Sequence, residues 1–170
     1  MLRQALAFLL SSLVALPPAS AQQFMLDLNT PAAGVSEWSK GELLPDGEIA
    51  ARVTVVELRA DPKWQPGFEF LLSSGKGYAA LRVNFARGAQ GARPSLTVYT
   101  NGQVVSDTPI AVDIQKGKPS DMVLRWRADR TVEAYVDGAL SKPVQVPFAP
   151  DRLRIRVTTA DVKFEDVRTK

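Results

Sequence analysis

Residues 124–140 read LRWRADRTVEAYVDGAL, which is two alternating runs of apolar and polar residues separated by a short polar break. If the letters ADR form a three-residue loop, Trp126 lies opposite Val132 and the apolar residues of both runs share one face. A two-residue loop would mix apolar and charged residues on each face. The stretch therefore predicts an antiparallel hairpin with Trp126 in the core, and it places Arg125 opposite Glu133 as a charge pair on the outer face.

Alternating runs of this kind recur along most of the chain, with turn signals roughly every ten residues and no long stretch of helical periodicity. The pattern predicts an all-β sandwich of antiparallel sheets. Asn101-Gly102 and Asp137-Gly138 predict tight turns, because these residues tolerate the positive φ of a type I′ turn. The alternation slips at Val55-Val56, which predicts a β-bulge there.

The N-terminus has the features of a signal peptide over residues 1–21. Arg3 is followed by the apolar run Leu6–Leu16 and by Ala19-Ser20-Ala21, which fits the small-residue rule for cleavage. Cleavage after Ala21 leaves residues 22–170, which are expected to form a single β-sandwich domain without a membrane span. The alternative is that the apolar run is an N-terminal membrane anchor, although it is too short to span a bilayer unaided.

Composition excludes several classes of function. The chain contains no histidine and no cysteine, so it has no Ser-His triad, no histidine zinc site and no disulfide. Its formal net charge of +3 is spread along the chain, which argues against nucleic acid as a partner. An exported protein without disulfides is typical of bacteria, so the expected location is the periplasm or the medium.

Two segments, VLRWRADRTVEAYVDGALS and RLRIRVTTADVKFEDVRTK, resemble the concanavalin A-like lectin/glucanase superfamily, in particular its laminin-G-like type. Trp126, Val132–Gly138 and Phe164–Val167 are similar to a tryptophan-bearing strand, a VxxYVDG strand and a terminal FxDV strand of that type. The resemblance implies a jelly-roll sandwich of two antiparallel sheets, with the N- and C-terminal strands adjacent.

The same superfamily includes glucanases, whose catalytic carboxylates lie on a strand of the form ExDxE. The nearest run here is Glu133–Asp137, in which the middle position is Tyr135 and the last belongs to a turn. The chain is therefore not expected to be an enzyme. No cofactor is expected either, although laminin-G-like domains sometimes bind calcium through turn carboxylates, which leaves calcium as an alternative.

Strand parity places Tyr78, Arg82 and Asn84 on the non-core side of one strand and Tyr99 on the non-core side of another. Trp64 lies in the loop sequence DPKWQPGF. Aromatic faces cover the apolar C–H surface of a sugar, and planar side chains bind its hydroxyls. These five residues predict a shallow glycan site. The alternative is that the tyrosines merely cover the sheet and Trp64 packs over the sandwich edge.

Other residues of the same kinds are assigned to ordinary surface. Trp38 in SEWSKG is expected in a second exposed loop, and Arg152, Arg154 and Arg156 are expected to form a solvated strand face. Two functions stay open on this reasoning. One is an exported, non-catalytic module that binds carbohydrate, and the other is a structural or protein-interaction subunit of the bacterial cell envelope.

Overall fold

The computed structural model describes residues 22–170, so the expected signal peptide lies outside the described residues. Two antiparallel sheets of seven and six strands account for most of this part. The first sheet contains, in spatial order, β1 (Gln22–Asn29), β15 (Ala160–Thr169), β3 (Gly47–Leu58), β10 (Pro119–Trp126), β11 (Thr131–Val136) and β12 (Ala139–Leu140), and β13 (Val144–Gln145) also pairs with β11.

The second sheet contains, in spatial order, β2 (Val35–Gly41), β14 (Arg152–Thr158), β4 (Gly67–Ser74), β5 (Gly77–Asn84), β7 (Ser95–Thr100) and β8 (Gln103–Pro109). A small extra pair joins β6 (Gly91–Ala92) to β9 (Ile114–Gln115). From Gln22 to Lys170 there is no helix long and apolar enough to cross a membrane.

The hairpin of β10 and β11 has the predicted register. Trp126 lies opposite Val132, and Met122 lies opposite Val136. The N–H of Arg130 donates to the carbonyl of Arg127 at 2.8 Å, and Arg130 has a φ of 67°. A turn followed by a left-handed residue is a common geometry for a three-residue hairpin loop. The prediction of the loop and of the apolar face is therefore confirmed.

The predicted ion pair between Arg125 and Glu133 is wrong, although the two residues do lie opposite each other. Arg125 donates instead to Glu48 on β3 at 3.0 Å, while Glu133 accepts from Arg127 at 3.4 Å. Because β10 lies between β3 and β11, Arg125 has a carboxylate on each side. The ring of Tyr135 lies 5.3 Å from its guanidinium carbon on the Glu133 side.

The predicted turns and bulge are also present. Asn101 and Gly102 have φ values of 52° and 76°, as a type I′ turn requires. Where β3 pairs with β15, Val55 lies opposite Val162 and Glu57 lies opposite Asp161. Val56 is therefore the extra residue of a bulge, and its side chain is exposed.

Aromatic residues connect the two sheets across the core. Phe164 of β15 lies 5.9 Å from Phe68 and 6.0 Å from Phe70 of β4, between ring centroids. At the end of the core, Trp126 is 2% exposed and its indole N–H donates to the carbonyl of Leu44 at 2.9 Å. The indole N–H of a buried tryptophan needs a hydrogen-bond acceptor, so this contact determines the orientation of the ring.

The terminal strands β1 and β15 are adjacent, as the resemblance implies. The prediction for Trp38 is wrong, because it lies in strand β2 and is only partly exposed. Its position opposite Ile155 of β14 turns the indole toward the core side, where it lies 5.1 Å from the ring of Phe24. The polar residues around this tryptophan led the sequence to predict a loop. The pairing of β2 with β14 instead gives the tryptophan an apolar neighbour.

Candidate functional site

The outer face of the second sheet, the face turned away from the core, carries a row of alternating charges. Glu37 lies opposite Arg156, Arg156 opposite Glu69, and Glu69 opposite Arg82, across strands β2, β14, β4 and β5. Cross-strand neighbours are close enough for opposite charges to pair. The row exists because all four residues have the outward parity of their strands.

Glu69 is the centre of this row and is only 6% exposed. The guanidinium of Arg156 donates to its Oε1. On the other side, Nε of Arg82 lies 3.8 Å from its Oε2, which is too long for a hydrogen bond. Both of these atoms are buried and have no hydrogen-bond partner among the described residues. The centre of the row therefore keeps one buried donor and one buried acceptor whose hydrogen-bonding capacity is unused.

Tyr78 and Tyr99 lie opposite each other on β5 and β7, and their rings stack with centroids 4.3 Å apart. Arg82 donates to the hydroxyl of Tyr99, and its guanidinium carbon lies 5.8 Å from the centre of that ring. Burial, with smaller contributions from Tyr99 and Glu69, raises the pKa of Tyr78 above its ordinary value. The stack covers one face of each ring, and Arg82 connects it to the charged row.

Trp64 stands beside the charged row in the loop between β3 and β4. One carboxylate oxygen of Asp61 accepts hydrogen bonds from the backbone N–H groups of Lys63 and Trp64, each at 2.8 Å. An aspartate that binds the backbone ahead of it in this way stabilises a turn. The indole is thereby presented to solvent, with 45% of its surface exposed.

A groove of about 480 Å³ lies between this loop and the outer face of the second sheet. Trp64 lines it, together with the polar side chains of Glu69, Arg82, Asn84 and Arg156. Small-molecule sites commonly combine an apolar or aromatic wall with a few polar groups of this kind. The groove is therefore the candidate binding site, and we refer to it as the outer groove.

Gly67 keeps the lower part of the outer groove open. A Cβ at this position would lie 2.3 Å from the carbonyl oxygen of Val83 and 2.8 Å from Oδ1 of Asn84. Both distances are shorter than any real contact of a Cβ atom, so a side chain would displace the neighbouring strand or the amide. The glycine allows Asn84 to reach the groove from β5.

The structure brings together three of the five predicted site residues. Trp64, Arg82 and Asn84 line the outer groove, whereas Tyr78 and Tyr99 stack next to it and do not line it. The tyrosines therefore support Arg82 and are not the aromatic wall of this groove. Ligand binding by these five residues stays a prediction.

The charged groove residues Glu69 and Arg156 were not among the predicted site residues. Glu69 shares the outward parity of its strand, but nothing in the sequence shows that arginines lie on both sides of it. Arg156 was assigned to a solvated face, yet it pairs with Glu69, and Arg154 lies 3.6 Å from Glu37. Of the three arginines on β14, only Arg152 matches the expected exposure.

Acidic side chains close together could hold a metal ion. Within residues 22–170, no group of three or more acidic side chains is arranged to hold a metal ion. Calcium binding stays a prediction of the sequence.

No protein-family model matches the chain, and no curated protein sequence matches it. Solved structures do resemble it. A carbohydrate-binding module from Bacillus subtilis is 13% identical, with a TM-score of 0.53, covering 85% of each chain. A galectin of Caenorhabditis elegans is 11% identical, with a TM-score of 0.58, covering 85% of this chain and 95% of the galectin.

A β-glucanase of Bacillus licheniformis is 14% identical, with a TM-score of 0.53, covering 87% of this chain and 78% of the enzyme. Proteins this distant can share a fold without sharing a function. The laminin-G-like type stays a prediction, since none of these structures bears on it. The likeness establishes the architecture alone: the chain is an all-β sandwich with the concanavalin A-like fold.

Proposed function

We propose that this protein is an exported, non-catalytic module that binds a glycan in the outer groove. The observation that carries the proposal is the half-exposed indole of Trp64 beside the planar polar groups of Arg82 and Asn84. Two of the proteins that share the fold are, by their names, a carbohydrate-binding module and a galectin. A glycan is therefore the first class of ligand to test.

The chemistry of the outer groove suits a sugar ring. The indole of Trp64 offers an apolar face for the C–H side of the ring. Arg82 offers fixed donors and Asn84 offers both a donor and an acceptor for hydroxyl groups. Glu69 holds the guanidinium of Arg156, and the hydroxyl of Tyr99 accepts from Arg82, so both arginines are positioned before a ligand arrives. Preorganisation reduces the entropy lost on binding.

The outer groove has too few acidic residues for glycoside hydrolysis, which favours a binding function. The common glycosidase mechanisms need two carboxyl groups on either side of the scissile bond. Among the residues that line the outer groove, Glu69 is the single acidic one. It is already paired with Arg156, so it is poorly placed to act as an acid or a nucleophile.

The alternative function, a structural or protein-interaction subunit of the cell envelope, is favoured by strand β8. This strand is at the edge of the second sheet, and its Val104 and Val105 are 54% and 59% exposed. Exposed edge strands can add a strand from a partner protein. Two results together would support this second function. The protein would bind no glycan, and its Val104→Lys variant would lose binding to a partner protein.

The test is a glycan array followed by titration calorimetry on residues 22–170. We expect a dissociation constant on the order of 0.1–1 mM, because the groove is open and shallow. Trp64→Ala should weaken binding about tenfold or more, which corresponds to about 1.4 kcal/mol. Arg82→Ala should also weaken binding, through the loss of its donors.

The matched control is Leu44→Ala, which removes another exposed apolar side chain, 66% exposed, outside the groove. It should bind as the wild type does, and Trp64→Ala should keep the wild-type melting temperature. The proposal is wrong if no glycan binds at millimolar concentration, or if Trp64→Ala binds as tightly as the wild type.

A further inference from the structure

A second cavity lies on the far side of Trp64. It is lined by the loops 59–66 and 85–90, has a volume of about 410 Å³, and shares Lys63, Trp64 and Gln65 with the outer groove. We refer to it as the loop cavity. The two spaces are therefore neighbours on either side of one short segment.

The loop cavity is held in shape by contacts between its two loops. The N–H of Phe85 donates to the carbonyl of Pro66 at 2.9 Å, and Nη2 of Arg87 donates to the carbonyl of Asp61 at 3.3 Å. The carboxylate of Asp61 is occupied by backbone N–H groups of its own turn. The cavity therefore exists before a ligand binds.

The charged groups of the loop cavity are mostly cationic. Arg59 donates to Glu57 and to the carbonyl of Thr30, so its charge is already partly compensated. Arg87 contacts a carbonyl and not a carboxylate. Among residues 22–170, Lys63 makes no ion pair within 4.0 Å. Arg87 and Lys63 are thus the two cations that a ligand could neutralise.

A charge count shows that the residues lining the two cavities carry a positive net charge. Residues 22–170 carry a net charge of +2, since the whole chain has 21 basic and 18 acidic residues and Arg3 lies outside this part. The two adjoining cavities together are lined by five cations and two carboxylates, a net charge of +3. These residues are Arg59, Lys63, Arg82, Arg87, Arg156, Asp61 and Glu69. All the other described residues together therefore carry a net charge of −1.

We propose that the loop cavity binds the anionic substituent, a carboxylate or a sulfate ester, of an acidic glycan whose neighbouring sugar occupies the outer groove. The inference rests on the proposed function and adds the class of ligand. Charge-assisted hydrogen bonds to a carboxylate or sulfate are among the stronger polar contacts, and arginine binds both groups through two parallel donors. The apolar part of the cavity wall, including Trp64, accommodates the ring that carries the substituent.

The experiment compares matched acidic and neutral glycans. The probes are oligosaccharides of galacturonate, of mannuronate and of chondroitin sulfate, each beside its carboxyl-reduced form, with the chondroitin also beside its desulfated form. We expect the acidic member of at least one pair to bind about tenfold more tightly. The preference should decrease as NaCl rises from about 0.05 M to about 0.5 M, because salt screens the cations.

Arg87→Gln should weaken the acidic glycan more than the neutral one and so reduce the preference, because Arg87 lines the loop cavity and not the outer groove, while Lys63 remains. Arg87→Lys should retain part of it. Lys142→Gln is the matched control, since Lys142 is exposed and lines neither cavity. Loss of the preference with carboxyl reduction identifies a carboxylate, and loss with desulfation identifies a sulfate ester.

Two outcomes would overturn the inference, and they differ in what they say about the proposed function. If acidic and neutral glycans bind equally and Arg87→Gln has no effect, while Trp64→Ala still weakens binding, the charge assignment is wrong and the glycan site stands. If no glycan of the panel binds at millimolar concentration, acidic or neutral, the proposed function fails and the inference fails with it.

Discussion

Glu69 and Arg156 lie directly opposite each other on β4 and β14, and the guanidinium donates to the buried carboxylate from the outer face of the sheet. They are 87 positions apart in the sequence. The pair is asymmetric, because the side chain of Glu69 is 8% exposed while that of Arg156 is 30% exposed. The carboxylate therefore depends on its partners more than the arginine does.

We expect Glu69→Gln to lower the free energy of unfolding by about 1–3 kcal/mol, because the buried position would lose a charge-assisted bond and leave polar atoms unsatisfied. Urea denaturation would measure the change as a lower midpoint with an unchanged slope. Glu42→Gln, at an exposed position, is the control and should stay near the wild type. A wild-type midpoint for Glu69→Gln would show that the arginines do not need this carboxylate.

Trp126→Ala should lower the free energy of unfolding by about 3–5 kcal/mol, since it removes a large buried side chain and leaves a cavity. Trp64→Ala is a matched control, because it removes the same side chain from an exposed position. Chemical denaturation of both variants would separate the structural tryptophan from the one assigned to binding. Equal midpoints for the two variants would contradict the assignment.

Gly47→Ala should destabilise the protein as well, by about 1–3 kcal/mol. A Cβ at Gly47 would lie 2.3 Å from Cζ2 of Trp126 and 2.5 Å from the carbonyl oxygen of Lys170, so the indole or the C-terminal strand must move. Thermal denaturation would measure the loss. Gly41→Ala is the control, because a Cβ there has no neighbour within 4 Å, and it should change the melting temperature little.

Asp161 and Asp121 should affect stability with opposite signs. Burial, followed by the nearby carboxylate of Asp27, raises the pKa of Asp161, whereas the hydrogen bond from Arg52 lowers the pKa of Asp121. A raised pKa contributes stability below the unfolded pKa, which is lost as the pH rises through the folded pKa. A lowered pKa contributes stability above the unfolded pKa, which is lost as the pH falls through the folded pKa.

Asp161→Asn should therefore stabilise the protein at neutral pH, and Asp121→Asn should destabilise it. The effect of Asp161→Asn should shrink as the pH falls through the raised pKa of Asp161 toward the ordinary aspartate value of 3.8, whereas the effect of Asp121→Asn should shrink only as the pH falls from 3.8 through the lowered pKa of Asp121. Melting temperatures measured from about pH 3 to about pH 7 would check this. A destabilised Asp161→Asn at neutral pH would show that its charged form is favoured in the folded protein.

The exported protein should begin at Gln22, because Ala19 and Ala21 satisfy the small-residue rule for cleavage. Intact mass of the protein recovered from the periplasm or the medium of a bacterial host would locate the N-terminus. Ala21→Arg is the matched variant and should slow processing, since a large charged residue does not fit the cleavage position. Recovery of a protein that retains Met1 would favour the membrane-anchor alternative.

Local features were predictable because they depend on residues close together in the chain. The hairpin around Trp126 follows from alternation over about fifteen residues, since a shift of one position would turn every apolar side chain toward solvent. The bulge at Val55-Val56 is visible for the same reason, as a slip in the alternation. The turn at Asn101-Gly102 was predictable because few residue types accept a positive φ, and asparagine and glycine are two of them.

For the candidate site, the sequence could predict only which side of its own strand each residue occupies. Parity correctly places Tyr78, Arg82 and Asn84 on one side of β5, and residue type singles out Trp64 in its loop. Parity cannot show which strands are neighbours. It therefore predicted an ion pair between Arg125 and Glu133, although Arg125 pairs with Glu48 on the strand at its other side. It also could not show that the two tyrosines occupy each other's faces.

The sequence by itself determined the hairpin of β10 and β11, the two tight turns and the bulge at Val55-Val56, since these depend on alternation and on local backbone preferences. Only the tertiary structure decided the outer groove and the loop cavity. Glu69 meets Arg156 because β14 pairs with β4, and Trp64 becomes the wall between two spaces because the loops 59–66 and 85–90 meet at one end of the sheet. Pairing between distant strands is selected by the packing of the whole core, so no local pattern in the sequence records it.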